Sequence, residues 1–503
     1  MQLAKQEIQV EQRCRVTGSC AVMEGSLRIP DGLPDAGTIL EVAGQAECEE
    51  VRMGEGKAEV LGSARFTVLY ADGDGQPRSF ESQCRLRHEV ENEGFTPSMR
   101  MLGRIRVGRA TARVSGGRNV QLRARLEVDI LGAENKTLSL LAGEPREGLQ
   151  LRCLPAQVPV LQAVKSRRAH VSEQVRIPQS LPAAEAVLLS RGYGVVTAIH
   201  GEEDTLAVEG ELKLIFVYLS SDKNAPLQHF AETLPFGLVM EGIAGAENDH
   251  VDVHAQLERL LVEADPDNAD VLRVSAHVAV GAACRTCHEV QLVADAYDCH
   301  RESRCTCTDL TVGSQKVGER EKKIIRLGAA LPEDAADVAR VLYAVAEPQV
   351  SEAAVARGRL NIRGTVDVLL CYTAAEVGLT GCRMELPFET DVSAEGLEDG
   401  PARCLVFAEY AQAEGSGREL ELKICLEICP CQQWETCLQA VSDMTFGEQL
   451  PQRERGISVC FAGGRDSLWQ MARRLAVPPD AFLEGGDPDR VPQKGERLLL
   501  IRR

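Results

Sequence analysis

"VLGSARFTVLYA" (residues 60–71), "VEGELKLIFVYL" (208–219) and "IRGTVDVLLCYT" (362–373) are three versions of one pattern. Each places a tyrosine eight residues after a glycine: Gly62 and Tyr70, Gly210 and Tyr218, Gly364 and Tyr372. Between them every second residue is apolar: Ala64, Phe66, Val68, then Leu212, Leu214, Phe216, then Val366, Val368, Leu370. That alternation is the mark of a strand with one buried face.

The pattern extends in both directions. A further glycine lies 32 residues beyond each first one, at Gly94, Gly242 and Gly396. Upstream stand "LRIPDGLP" (27–34), "VRIPQSLP" (175–182) and "IRLGAALP" (325–332). Their final prolines precede the glycines by 28, 28 and 32 residues, so the third copy carries an insertion. "DGDGQP" (72–77) and "SDKNAP" (221–226) read as turns. A second alternating strand closes each copy, through Leu122–Ile130, Val274–Val280 and Leu420–Ile428. At roughly 120–130 residues a copy is too long for a solenoid repeat. The reading is a mainly β chain of three tandem sandwich or open-barrel-like domains, over 1–143, 164–307 and 324–445. Linkers are expected at 144–163, 308–323 and 446–455. The repeated glycine and tyrosine are expected to be structural, the glycine where a strand bends and the tyrosine capping a core.

Composition limits the partners. The chain has 503 residues, 44% hydrophobic and 26% charged, and a formal net charge of -19. Nucleic acid and anionic lipid surfaces are poor partners for such a chain, since binding them rests on clustered Lys and Arg. Aromatic residues are only 4%, so Val, Leu, Ile and Ala must build the cores. The segment from Ile457 has eight Lys/Arg and six Asp/Glu, hence +2, while the preceding 456 residues carry -21. "MQLAKQEIQVEQRCR" lacks the apolar core of a secretory signal, and no run approaches a membrane span. A cytoplasmic setting is expected, with the 18 cysteines as free thiols or metal ligands rather than disulfides.

Cys284, Cys287, Cys299, Cys305 and Cys307 cluster with His288 and His300. "CRTCH" (284–288) has the form of a haem attachment site, which needs an exported setting, and C-x2-C followed by C-x5-C-x-C has enough ligands for zinc but loose spacing. Reduced, partly buried thiols are the competing reading. Cys425, Cys429, Cys431 and Cys437 follow the matching strand of the third copy. His250 and His254 are four apart, but on an alternating pattern that reads as a strand with a surface pair. No phosphate-binding loop, nucleophile elbow or H-E-x-x-H occurs. No catalytic residue and no cofactor is expected, and the chain reads as binding rather than enzymatic.

The last segment, 456–503, is different. Leu468, Met471, Ala472 and Leu475 share one helical face, and Ser467 with Gln470 reads as a capping box. "VPP" (477–479) ends that helix and starts a second. Strands flank the pair in "ISVCFA" (457–462) and "ERLLLI" (496–501), giving strand–helix–helix–strand, a small α+β unit. It resembles a LysM domain in Asp466-Ser467-Leu468-Trp469, in "QMARRLAV", in the Asp487-Pro488 turn and in "VPQKGERLLLI" (491–501). It departs from that family at Arg465, where glycine is usual, and at Gly485-Gly486 before Asp487-Pro488. In sugar-binding members those two loops line the glycan groove.

The three β copies resemble the SPOCS domain of spore-coat and sporulation proteins, and "LVADAYD" (292–298) is similar to that family too. Three such copies with one LysM unit resemble a family of coat morphogenetic scaffolds. The resemblance implies a non-enzymatic protein in the mother-cell cytoplasm at the forespore surface. It implies partners among coat proteins, with the LysM unit docked on the coat's base-layer ATPase. The other reading of that unit is a binder of peptidoglycan. Candidate binding residues are Arg465, Asp466, Ser467, Leu468, Trp469, Arg473, Asp487, Pro488 and Lys494. Trp469 lies at the edge of the buried stripe, and Arg465, Arg473 and Lys494 offer charge to an acidic partner.

Overall fold

The computed structural model describes residues 3–144, 146–222, 226–243, 251–451, 455–483 and 486–502. It is mainly β, with one α-helix among the described residues and no closed barrel. The first set of strands is β1 (Lys5–Arg28), β2 (Ala36–Gly54), β3 (Lys57–Asp72), β4 (Pro77–Glu91), β5 (Arg100–Gly116) and β6 (Asn119–Leu141). The second is β7 (Leu149–Arg176), β8 (Ala184–Glu202), β9 (Thr205–Ser220), β10 (Leu227–Glu241), β11 (Val251–Ala264) and β12 (Val271–Asp298). The third is β13 (Arg301–Val317), β14 (Glu321–Ala330), β15 (Arg340–Ala356), β16 (Arg359–Ala374), β17 (Gly378–Ser393), β18 (Gly400–Pro401), β19 (Arg403–Ser416) and β20 (Glu419–Gln449).

Each set pairs its strands antiparallel in the same order. One sheet is β2-β3-β4, β8-β9-β10 or β15-β16-β17, and the other joins the first, last and penultimate long strands. In the third set a single ladder pair, Ala344 with Ala411, joins the two sheets, and the first strand is broken into β13 and β14. The apolar alternation explains the packing. Phe66, Val68 and Tyr70 of β3 share one core with Leu122, Ala124, Leu126 and Val128 of β6.

The repeated glycines have a steric cause. A Cβ on Gly62, Gly210 or Gly364 would lie 2.3, 2.5 or 2.1 Å from the carbonyl oxygen of Glu47, Val195 or Gln349. Each glycine pairs with the residue just before a register shift in the neighbouring strand, at Cys48/Glu50, Val196/Ala198 and Val350/Glu352. A β-bulge there pushes backbone into the space a side chain would need. The tyrosines are fully buried, and their hydroxyls donate to Pro34, Pro182 and Ala336 carbonyls at 2.9, 2.8 and 2.8 Å. Each bond tethers the loop before the second strand to the core.

The three sets pack cyclically: β4 lies against β8, β10 against β15, and β17 against β2. Leu40, Leu69, Leu188, Leu189, Val217, Tyr343, Leu369 and Cys371 meet in the centre. Glu41, Leu189 and Tyr343 face the residue before each repeated tyrosine, so they are one position of the pattern. Glu41 there accepts from Arg191 at 2.9 Å and from the Tyr343 hydroxyl at 2.7 Å, and Arg191 also donates to Glu347.

The first and last strands of each set run beyond the sheets as two-stranded ribbons, such as 149–163 with 284–298. The ribbons converge on Ile8, Leu140, Val158, Leu292, Leu310 and Ala440. Residues 149–163, 308–317 and 446–449, expected as linkers, are therefore strand. Pro155 and Pro159 disguise the first of these. They lie on β7, an edge strand, the place in a sheet where proline is tolerated.

His254 is not a surface residue. It sits opposite Gly281, where a Cβ would come within 2.4 Å of the imidazole. Burial, with the Arg104 and Arg15 guanidiniums nearby, pushes it down to about 3 despite Asp129. His250 lies outside the described residues.

Candidate functional site

The C-terminal unit is built from β21 (Gly456–Phe461), α1 (Leu468–Leu475), a 3-10 turn (Pro479–Ala481) and β22 (Arg497–Arg502). The second helix expected after "VPP" is only that turn. The prolines at 478 and 479 sit at its start, where no helical N–H is needed, and it ends because Phe482 turns extended and bridges to Leu500.

The N-terminus of α1 is fully engaged. Ser467 Oγ accepts from the Gln470 N–H at 3.3 Å, and the Gln470 side chain accepts from the Ser467 N–H at 2.9 Å. The Leu468 and Trp469 N–H groups donate to the Arg490 and Pro488 carbonyls at 2.9 and 2.8 Å. The Asp487-Pro488 turn thus caps the helix. Asp466 pairs with Arg474 at 2.6 Å. Leu468 is core, while Arg465 and Lys494 are exposed and make no ion pair among the described residues.

Trp469 and Arg473 lie side by side against the second set. Trp469 is only 4% exposed. Its indole N–H donates to Asp295 at 2.7 Å, and one Arg473 guanidinium nitrogen donates to both Asp295 oxygens at 2.8 Å. Tyr297 meets the indole edge to face, with ring centres 5.0 Å apart, and its hydroxyl donates to the Val477 carbonyl at 2.6 Å. Burial pushes that hydroxyl pKa well up. Arg152 and Asp489 add an ion pair at 2.7 Å. Asp295 and Tyr297 belong to β12, so both candidate residues contact the chain's own body.

Among the described residues the opposite side of the unit is uncovered. Ile457, Val459 and Phe461 pair with Ile501, Leu499 and Arg497, so all six share one face of the two-stranded sheet. Ile457 is 71% exposed and Phe461 66%. Val459, Leu499 and nearby Leu483 are exposed too. Arg455, Lys494 and Arg497 lie at or beside that face without ion pairs among the described residues. The alternation of "ISVCFA" was legible, but not which of its faces is left open.

The cysteines do not converge. Among the described residues no three His, Cys, Asp or Glu side chains group to hold a metal. Cys284 is in the core of the second set, Cys299 lies under the C-terminal unit, Cys305 donates to the Ala296 carbonyl and Cys307 is exposed. Burial lifts Cys284 and Cys299 to about 11, which keeps them neutral thiols. Cys287 is half-buried.

Residues 35–115 match the family model described as SipL, SPOCS domain. This segment is similar to the SPOCS domain. It spans β2 to β5 of the first set, with the bulge-facing Gly62 and buried Tyr70 near its middle. The SPOCS match associates the chain with sporulation and the spore coat. No curated protein and no solved structure matches the chain. No described helix is long and apolar enough to cross a membrane.

Proposed function

We propose that this SPOCS-domain chain is a non-enzymatic scaffold of spore coat assembly. Its three sets of strands are three copies of the SPOCS domain, closed into a ring. Its C-terminal unit is a LysM-like module that docks on the coat's base-layer ATPase, in the mother-cell cytoplasm at the forespore surface. The ring would present its surfaces to other coat proteins.

The observation that carries this reading is the uncovered apolar face of β21 and β22. Contiguous exposed apolar surface on a soluble unit marks an interaction site. Arg455, Lys494 and Arg497 suit an acidic partner surface. The test is binding of full-length Phe461→Asp and Ile457→Asp to the purified ATPase. Loss of binding with unchanged thermal unfolding supports docking; wild-type affinity in both sinks it. Retention of the wild-type chain on insoluble peptidoglycan would favour the glycan reading instead.

A further inference from the structure

The chain crosses over to place its C-terminal unit. That unit follows β20 of the third set, yet it sits on β12 of the second. The two ribbon ends make a natural comparison. In β12 a register shift leaves Ala294 unpaired between Val293 and Asp295, and in β20 a shift leaves Ser442 unpaired between Val441 and Asp443. Val293 and Ala296, like Val441 and Met444, face the shared ribbon core. Asp295 accepts from the Ala296 N–H and Asp443 from the Met444 N–H, both at 2.9 Å. The two bulges are one device, and it turns an aspartate outward.

Only one of them can seat an aromatic helix. Thr445 stands where the second ribbon has Tyr297, and Asp443 pairs with exposed Lys5 at 3.6 Å. Tyr297 and Cys299, by contrast, belong to the apolar cluster of the C-terminal unit itself, with Trp469, Val477, Phe482 and Leu498. Without β12 that cluster would lack one wall.

We infer that Asp295 and Tyr297 form an internal docking seat for the C-terminal unit. Trp469 and Arg473 are positioning residues within it. They hold the apolar face of β21 and β22 at a fixed place on the ring rather than contacting a partner. The positioning role rests on the docking reading above; the seat does not. A carboxylate that accepts from both an indole N–H and a guanidinium makes charge-assisted bonds, about tenfold or more each in a docking equilibrium. The tethered unit therefore stays seated until Asp295 is lost.

The chain has two tryptophans, so full-length Trp434→Phe leaves Trp469 as the sole reporter. In that background Trp469 should be shielded from acrylamide. Asp295→Lys and Tyr297→Ala should each raise its quenching about threefold, towards that of an exposed indole, because they remove the polar and the aromatic wall of the seat. Asp443→Lys, at the equivalent bulge, should leave quenching unchanged. Shielding that survives Asp295→Lys, or is lost equally in Asp443→Lys, overturns the seat. Affinity for the ATPase separates the two readings. Asp295→Lys removes both charge-assisted bonds, each about tenfold or more in the docking equilibrium, and should weaken it about tenfold or more, and unchanged affinity with an exposed Trp469 overturns the positioning role. If Phe461→Asp also binds normally, the docking reading itself fails while the quenching result stands.

Discussion

Two junctions in this molecule rest on a carboxylate that joins different parts of the chain. In the ring centre it is Glu41, whose side chain has no exposure, bonded to Arg191 of the second set and Tyr343 of the third. At the C-terminal unit it is Asp295, whose side chain is 22% exposed, bonded to Trp469 and to an Arg473 that is 44% exposed. The same chemistry serves two ends. A fully desolvated carboxylate with partners from the two other sets cannot be released without leaving buried charge behind. A carboxylate at the rim can exchange its partners for water. The ring centre is the buried junction, and the C-terminal unit is a head held at the rim.

The comparison breaks most easily at the centre. Glu41→Ala leaves Arg191 between Glu347 and an apolar cluster, and it also unbonds Tyr343. Burial by itself would push the Arg191 pKa down, but the Glu347 and Glu41 carboxylates outweigh it and hold the guanidinium charged. Breaking a buried pair by removing one partner costs about 3–5 kcal/mol. Denaturant titration of the full chain should show a lowered midpoint of that size. A midpoint within 1 kcal/mol of wild type, after conversion with an unchanged slope, would make the centre as dispensable as the rim (about the size of an exposed pair).

Next in size are the glycines at the bulges. A Cβ at Gly364 meets the Gln349 carbonyl at 2.1 Å, and backbone cannot rotate away as a side chain can. Gly364→Ala should destabilise the third set by about 2–3 kcal/mol, the upper range for overpacking. Gly328→Ala, on a strand of the same set with nothing near its Cβ, should cost little. Equal unfolding midpoints for the two variants would contradict the steric account.

A pH-dependent effect, absent at neutral pH, comes from His254. Its folded-state pKa is depressed to about 3, against 6.5 for the free side chain. The unfolded chain therefore binds the proton first. His254 contributes no penalty above pH 6.5, and stability falls as pH drops from there towards 3. The slope approaches one proton, about 1.4 kcal/mol per pH unit. His254→Gln should flatten the stability profile between about pH 6 and 4. An unchanged acid slope in that variant would show that the imidazole is solvated.

How much of this was legible in the sequence follows from what kind of signal each feature leaves. The strand cores at Phe66, Phe216 and Val368 announce themselves because burial on one face imposes a period of two. The spacing of Gly62 from Tyr70 announces a shared constraint, although the opposing bulge that imposes it lies on another strand and leaves no local mark. The ribbons were hidden, since Pro155 and Pro159 imitate a linker unless the strand is known to be an edge. Trp469 shows the limit most clearly. Helical periodicity placed it beside the stripe of Leu468, Met471 and Leu475, at an edge. Its burial is supplied by Tyr297 and Asp295, 172 and 174 residues away, and periodicity within a helix carries no information about a neighbour that distant.

The smallest expected change in stability tests the head side of the comparison. Phe461 is two-thirds exposed on a face that none of the described residues covers, and its cross-strand partner is Arg497. Replacing it with aspartate removes apolar surface that was already in water, so the folded state loses little. Surface substitutions of this kind fall within about 0.5 kcal/mol, and the new carboxylate gains Arg497 as a neighbour. Unfolding midpoint and Trp469 quenching should both match wild type, since the seat is on the other side of the unit. ATPase binding should be the one property that falls. A stability loss well beyond that range would mean the face packs on the ring, and the head would then have no free surface to offer.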